Sequence, residues 1–114
     1  MKILFDNGTP NAIARGLPAH QVTFARRIGW HELSNGELIQ KAEEAGFELL
    51  LTTDKNIRYQ QNLTGRKIAL IVLSQQQWPV VRLHLERISA AVDACIPGGY
   101  SEVEIPIEKR DLAN

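Results

Sequence analysis

The sequence has one cysteine, no excess of charge of either sign and no long apolar run. Because Cys95 has no second cysteine to pair with, an intramolecular disulfide framework and a cysteine zinc cluster are both excluded. No apolar stretch approaches the roughly 20 residues that span a bilayer, and the start, MKILFDNG, turns acidic too early for a signal-peptide core. We therefore expect a cytoplasmic protein, in a reducing compartment, that makes no use of a membrane.

Thirteen basic and thirteen acidic residues cancel, which argues against binding of polyanions by the whole surface. Their distribution is uneven, because residues 55–87 are mainly basic and residues 33–54 are mainly acidic. Solvated helix faces explain many such charge blocks. The alternative is a phosphate-attracting rim beside a carboxylate site.

A chain of 114 residues, 44% hydrophobic and 23% charged, is sufficient for one folded domain. We assign residues 1–108 to that domain and residues 109–114 to a C-terminal tail. Short apolar runs alternate with amphipathic stretches, which is typical of α/β proteins. Strands joined by helices need right-handed crossovers, so the pattern predicts a three-layer, Rossmann-like fold with helices on both faces of a mainly parallel sheet of four or five strands.

The elements follow from periodicity and from capping signals. We expect strands at residues 1–5, 20–25, 47–53, 67–73 and 102–107, with the last at an edge. Helices are expected at residues 10–15, 35–45 and 79–95, and the polar stretch 55–63 should be a loop with a helical turn. The second helix is marked best, because Ser34 and Glu37 have the spacing of a capping box. The third has an apolar stripe that includes Leu83, and this stripe serves either the core or a homodimer.

Two acidic residues directly follow expected strands. Asp6 comes after the first strand and Asp54 after the third, so both should lie at the carboxyl edge of the sheet, where ligands bind in such folds. If these strands are close, the two carboxylates converge and repel each other unless a cation neutralises them. Mg²⁺ suits this position, because it uses one or two carboxylates together with waters and substrate phosphate. Each residue alone also has an ordinary explanation, an Asx turn or a helix cap.

Basic residues after the third expected strand would complete a nucleic-acid site. We expect Lys55, Arg58 and Arg66 to hold RNA phosphates, the alternative being solvated surface positions. Trp30 and Trp78 have the chemistry to stack on bases, although large aromatic residues more often pack in a core or an interface. The histidines share no metal-ligand spacing and are assigned no role.

A family resemblance is carried by three segments, MKILFDNGTP, IGWHELSNGELIQKAEEAGFELLLTTDKN and RKIALIVLS. They resemble the PIN-like domains of a bacterial and archaeal group related to the VapC-type toxin ribonucleases. The resemblance implies a nuclease that uses a carboxylate cluster and Mg²⁺ or Mn²⁺. It implies that Asp6 and Asp54 are metal ligands, that Glu37 is the acid supplied by a helix, and that Thr52 positions the site.

The chain departs from the family pattern where three acids are replaced by the amides of Asn7, Asn35 and Asn56. An asparagine ligates a metal through its carbonyl oxygen, but it brings no charge and cannot act as a general base. These three residues are therefore expected to support the site while Asp6, Asp54 and Glu37 act as the catalytic and metal-binding acids.

Three functional hypotheses follow. The first is a metal-dependent ribonuclease, as the toxin of a toxin–antitoxin pair that is restrained by an antitoxin-like protein. The second is a catalytically degenerate PIN-like module that binds nucleic acid. The third is a receiver-like domain in which Asp54 is phosphorylated and Ser74 follows the fourth strand, although Asn7 occupies a place where receivers need a second acid.

Overall fold

A computed structural model of the protein describes residues 1–57 and 63–107. These residues contain the strands β1 (Lys2–Phe5), β2 (Gln21–Phe24), β3 (Leu49–Thr52), β4 (Ala69–Leu73) and β5 (Tyr100–Val103). They also contain the helices α1 (Asn35–Glu44), α2 (Trp78–Val81) and α3 (Leu85–Ala94), and 3-10 turns at Asn11–Gly16, Ala25–Ile28 and Arg82–His84. The expected tail, 109–114, and the expected phosphate contact Arg58 lie outside the described residues.

The described strands form one parallel sheet in the order β2-β1-β3-β4-β5. The prediction of an α/β fold with a parallel sheet is thereby confirmed. In this order β1 and β3 are central neighbours, with Ile3 opposite Leu49 and Phe5 opposite Leu51. The chain leaves β1 for β2 on one side and then crosses to β3 on the other, so the order reverses between β1 and β3. Ligands bind beyond the carboxyl ends of the strands at such a point.

Both faces of the sheet are covered, because the side chains of β3 alternate between two apolar clusters. Leu49 and Leu51 pack in one cluster with residues of α2 and α3, including Val80, Val81, Ile88 and Val92. Leu50 packs in the other with Leu38, Ile39 and Ala42 of α1. Burial of one such leucine side chain contributes roughly 1.5–3 kcal/mol. The continuous apolar run of β3 is therefore explained by two packed layers of helix, one on each face.

Helix α1 begins as its sequence predicts. Ser34 accepts a hydrogen bond on its hydroxyl from the Glu37 backbone N–H, at 3.3 Å, and Glu37 Oε1 accepts one from the Ser34 backbone N–H, also at 3.3 Å. This reciprocal pair is a capping box, and it satisfies N–H groups that the first turn of a helix leaves without partners. The helix thus fixes the position of Asn35, its first residue.

Two elements differ from the prediction. The helix expected at 79–95 is interrupted by the 3-10 turn Arg82–His84, which changes the angular spacing of the side chains, and Leu83 within this turn is 48% exposed and lies outside the core. Strand β5, expected at 102–107, is Tyr100–Val103: it begins two residues earlier, with Tyr100 opposite Leu70 of β4, and it ends earlier, since the Ile105 N–H donates to Ser74 Oγ, at 2.7 Å, instead of to a strand. No helix within the described part of the chain combines the length and apolarity needed to cross a bilayer.

Candidate carboxylate site

One buried hydroxyl joins the two acidic strand ends. Thr52, the last residue of β3, is fully buried, and its Oγ1 donates to Asp6 Oδ2 at 2.6 Å. The same oxygen accepts a hydrogen bond from the Asp54 backbone N–H at 3.1 Å. Asp6 and Asp54 therefore lie at the same edge of neighbouring strands, two hydrogen bonds apart. Both residues are partly buried.

The loop after β1 is held against β3. The Asp6 N–H donates to the Leu51 carbonyl at 3.0 Å, and Thr9 Oγ1 donates to the same carbonyl at 3.1 Å. Gly8 lets the loop come this close, since a Cβ at this position would lie 3.0 Å from Thr53 Oγ1. Asp6 also performs the turn function that its sequence suggests, because its Oδ1 accepts the Asn7 N–H at 2.6 Å.

Asp54 is held by hydrogen bonds from two asparagines, Asn35 and Asn56. Its Oδ2 accepts a hydrogen bond from Asn35 Nδ2 at 2.6 Å, and its Oδ1 accepts one from the Asn56 backbone N–H at 3.0 Å. An ionised carboxylate at position 35 has no donor and would repel Asp54. The amide at position 35 thus supports the carboxylate of Asp54 from the start of α1.

The third asparagine, Asn7, accepts a hydrogen bond from an arginine. Arg26 Nε donates to Asn7 Oδ1 at 3.0 Å. Arg26 follows β2, which lies beside β1, and sequence reasoning did not single it out. The available signal was its position, since the pair Arg26-Arg27 comes directly after an expected strand, as Asp6 and Asp54 do.

Glu37 does not join the two aspartates. Its carboxylate accepts hydrogen bonds from the Ser34 hydroxyl, at 2.9 Å, and from the Ser34 N–H, and the hydroxyl followed by the backbone N–H lowers the pKa of Glu37 below its ordinary value. Over residues 1–57 and 63–107, no group of three or more histidine, cysteine or acidic side chains is placed to hold a metal ion. Of the three acids expected at the site, Asp6 and Asp54 lie together, and Glu37 caps its own helix instead.

The predicted phosphate contacts are divided between two edges of the sheet. Lys55 is exposed and lines a groove of about 630 Å³ beside the ends of β4 and β5, next to Asp54. Arg66 precedes β4, at the amino edge, where its Nη1 lies 3.7 Å from Glu43 Oε1. Because parallel strands all run in the same direction, this corrects the expected position of Arg66, which lies at the opposite edge from the carboxylates.

The aromatic residues and Ser74 have structural roles. Trp30 packs edge-on against Phe47, with 6.1 Å between ring centroids, and Trp78 is partly buried against the cluster that covers the other face. Ser74 Oγ accepts the Ile105 N–H, which ties the end of β4 to the chain after β5. Packing therefore accounts for the positions of both tryptophans, as the more common alternative predicts.

The two aspartates have the donor chemistry for one hard cation. An ionised carboxylate offers about four acceptor sites on its two oxygens. Hydrogen bonds from the described residues use one site on each oxygen of Asp6 and of Asp54. The remaining lone pairs suit Mg²⁺ or Mn²⁺, because such ions bind through one or two carboxylates and keep several waters.

No protein-family model, no curated protein and no solved structure matches the chain.

Proposed function

We propose that this chain is a PIN-like protein that binds one Mg²⁺ or Mn²⁺ ion at Asp6 and Asp54 and hydrolyses RNA phosphodiester bonds. The observation that supports the proposal is the link through Thr52, which brings two acidic strand ends together where the strand order reverses. A bound divalent ion would supply Lewis-acid polarisation of a phosphodiester oxygen and would lower the pKa of a coordinated water. The toxin role and the antitoxin-like partner remain what the family resemblance implies.

The protein's own groups have separate tasks in this proposal. Thr52 and Asn35 orient the two carboxylates, because each donates one hydrogen bond of 2.6 Å. Lys55 next to Asp54 and Arg26 next to Asn7 attract the phosphates of the RNA. Glu37 is a capping residue in this scheme rather than a ligand, so fewer carboxylates act than the family pattern provides. We therefore expect slow hydrolysis.

A titration with Mn²⁺ tests the proposal, together with cleavage of a single-stranded RNA measured in the presence of Mn²⁺. Asp6→Asn and Asp54→Asn each remove a charged ligand and should lower both the Mn²⁺ affinity and the cleavage rate by about 100-fold or more, since the metal supplies several kcal/mol of transition-state stabilisation. Asp93→Asn is the matched control, because Asp93 is exposed and lies 3.6 Å from His20, away from this edge. It should behave as the wild type.

Absence of Mn²⁺ binding by the wild type, or unchanged binding in Asp6→Asn, would contradict the proposal and favour the second candidate. This candidate is a degenerate PIN-like module that binds RNA without cleaving it. It is favoured by the amides at positions 7, 35 and 56 and by the use of Glu37 as a cap. Binding of RNA that is unaffected by EDTA, with no cleavage in Mn²⁺, would identify it.

The receiver-like alternative is favoured by one feature, the strand order β2-β1-β3-β4-β5, which receiver domains share. Its chemistry fits less well. Ser74 Oγ is engaged by the Ile105 N–H, and Asn7 holds Arg26 instead of supplying an acid. Incubation with acetyl phosphate followed by intact-mass measurement decides this point, since a phosphate on the wild type that is absent from Asp54→Asn would establish a receiver.

A further inference from the structure

A small hollow lies beside Asp6, between the carboxyl ends of β1 and β2. It has a volume of about 190 Å³, and its lining residues are Phe5, Asp6, Asn7, Asn11, Phe24, Ala25, Arg26 and Arg27. Its walls therefore combine an aromatic side, a row of amides and two guanidinium groups. The hollow is adjacent to the carboxylate pair, and Asp6, one of the two proposed metal ligands, forms part of its wall.

Among the described residues, the two arginines of this hollow form no ion pair, although Asp6 lines the same hollow. Arg26 and Arg27 are both exposed, and neither forms an ion pair with any carboxylate within residues 1–57 and 63–107. Arg66 at the opposite edge differs, because it pairs with Glu43 at 3.7 Å. The chain has equal numbers of basic and acidic residues, so two adjacent arginines in a hollow whose one acid is Asp6 are a local excess of positive charge.

Asn7 holds Arg26 without cancelling its charge. The contact uses Nε and the amide Oδ1, at 3.0 Å, so the terminal guanidinium nitrogens are directed elsewhere. A guanidinium presents its donors in a fixed planar fork that matches phosphate oxygens. An aspartate at position 7 would form an ion pair with this fork and would leave less charge for a ligand. With an amide at position 7, Arg26 is held in place but keeps its positive charge available for an anion.

Arg27 is fixed by an aromatic surface. Its guanidinium lies over the ring of Phe24, 5.0 Å from the centroid, and Phe24 packs edge-on against buried Phe5 at 5.7 Å. A cation–π contact of this kind restrains the side chain while leaving its edge donors available. Both arginines are thus positioned before any ligand arrives.

We infer that Asn7, Arg26 and Arg27 form a subsite for a phosphate of single-stranded RNA, on the β2 side of the carboxylate pair. The inference rests on the proposed function, because it names where the substrate of that site is held. A strand laid along the carboxyl edge would meet the arginines after β2, the carboxylates after β1 and β3, and Lys55 after Asp54 in that order. Asp6 repels the RNA at this edge until a cation is bound, so Mn²⁺ should also strengthen RNA binding.

The test measures binding of a labelled oligouridylate by fluorescence anisotropy over a range of salt concentrations, in a buffer that contains EDTA and no added metal. Arg26→Gln should weaken binding about 5- to 10-fold and should reduce the magnitude of the salt slope by about 0.7, as expected for loss of one phosphate contact on a single strand. Asn7→Asp, nearly isosteric, should have a similar effect because it neutralises Arg26. Arg27→Gln should act in the same direction.

Arg66→Gln is the matched control, since it removes a cation at the opposite edge, and thermal melting of every variant shows whether it is folded. Wild-type affinity in folded Arg26→Gln and Asn7→Asp would overturn the inference, as would a wild type that binds no oligouridylate. A DNA strand of the same length distinguishes the group that is recognised, because weakening on both strands supports the phosphate and weakening on RNA alone overturns it. Failure of the proposed function is read separately, from Mn²⁺ binding and cleavage by the wild type.

Discussion

At the amino edge of the sheet, Glu43 is paired with a cation and with backbone donors, whereas at the carboxyl edge Asp6 and Asp54 are held by neutral groups. Glu43 Oε2 accepts the N–H groups of Lys67 and Ile68 at 2.7 and 3.2 Å, and its Oε1 lies 3.7 Å from Arg66. Asp6 and Asp54 receive their hydrogen bonds from a threonine hydroxyl, an asparagine amide and backbone N–H groups.

This difference between the two edges suggests that charged groups at the amino edge stabilise the fold, whereas those at the carboxyl edge are available to a ligand. At the amino edge the Lys67 N–H, followed by the Ile68 N–H and the charge of Arg66, lowers the pKa of Glu43 below its ordinary value of 4.5. Its interactions are already made in the folded chain. At the carboxyl edge the acids of Asp6 and Asp54 and the cations of Arg26 and Lys55 lie near one another without ion pairs among the described residues. We therefore expect substitutions at the amino edge to lower stability and those at the carboxyl edge to lower binding.

The largest effect on stability should come from Gly98→Ala, at the amino edge. Gly98 has a φ of 72°, and a Cβ on it would lie 2.6 Å from the Arg66 carbonyl oxygen. Because the obstacle is backbone, the turn before β5 has to shift and its hydrogen bond to the Lys67 carbonyl is strained. We expect a loss of about 2–4 kcal/mol in the free energy of unfolding. Urea denaturation measures this loss, and the Mn²⁺ affinity should be unchanged at a temperature at which the variant is folded.

Gly46→Ala is the control for this substitution. Its φ is 86°, but an added Cβ has no neighbour within 4 Å. It should therefore cost only the conformational strain, about 1 kcal/mol. Equal losses in the two variants would mean that the contact with Arg66 contributes nothing, and a loss of Mn²⁺ binding in Gly98→Ala would break the separation between the edges.

Much of the fold could be predicted because its signals are local. The apolar run of β3 is one continuous stretch and the capping box joins residues three apart, and both elements appear close to where they were expected. The end of β5 was not predicted, since it depends on a hydrogen bond with Ser74, 31 residues earlier, and the break at Arg82–His84 was not predicted either. Alternation alone does not show where a strand loses its neighbour.

The site also has features that could be predicted from local sequence and features that could not. The positions of Asp6 and Asp54 after two strands could be read from the sequence, and the sheet order places those strands side by side. The partners of the asparagines could not, because Asn7 meets Arg26 and Asn35 meets Asp54 across 19 residues in each case. Asparagine in place of an acid indicated only a missing charge. The structure adds that the amides at positions 7 and 35 each hold a charged residue.

Thr52→Val should have a smaller effect on stability and a clear one on metal binding, which sharpens the comparison from the other edge. Valine keeps the shape of the fully buried Thr52 but removes the hydroxyl that joins Asp6 to Asp54. We expect Mn²⁺ affinity to fall about 10-fold, as for loss of a group that orients metal ligands, with about 1–2 kcal/mol lost in stability from the hydrogen bonds. Thr52→Ser keeps the hydroxyl and should retain the affinity, so equal weakening in both variants would contradict the role of the hydroxyl.

The smallest effect should come from Glu43→Gln, at the amino edge. Glutamine keeps an acceptor for the Lys67 N–H but removes the negative charge, so we expect a loss of about 1 kcal/mol at pH 7. The sign of its pH dependence follows from the lowered pKa of Glu43. A carboxylate whose pKa is lower in the folded state stabilises the protein above its unfolded pKa, and this contribution disappears as the pH falls through the folded pKa.

The difference in stability between wild type and Glu43→Gln should therefore be full at pH 7 and should shrink as the pH is lowered below the ordinary value of 4.5. Urea denaturation at a series of pH values measures it. Glu44→Gln is the control, because Glu44 is exposed on the same helix and accepts a hydrogen bond only from the Gln40 side chain among the described residues. A difference that stays constant down to pH 3 would show that charge at Glu43 does not stabilise the amino edge, and the contrast between the two edges would then rest on backbone packing alone.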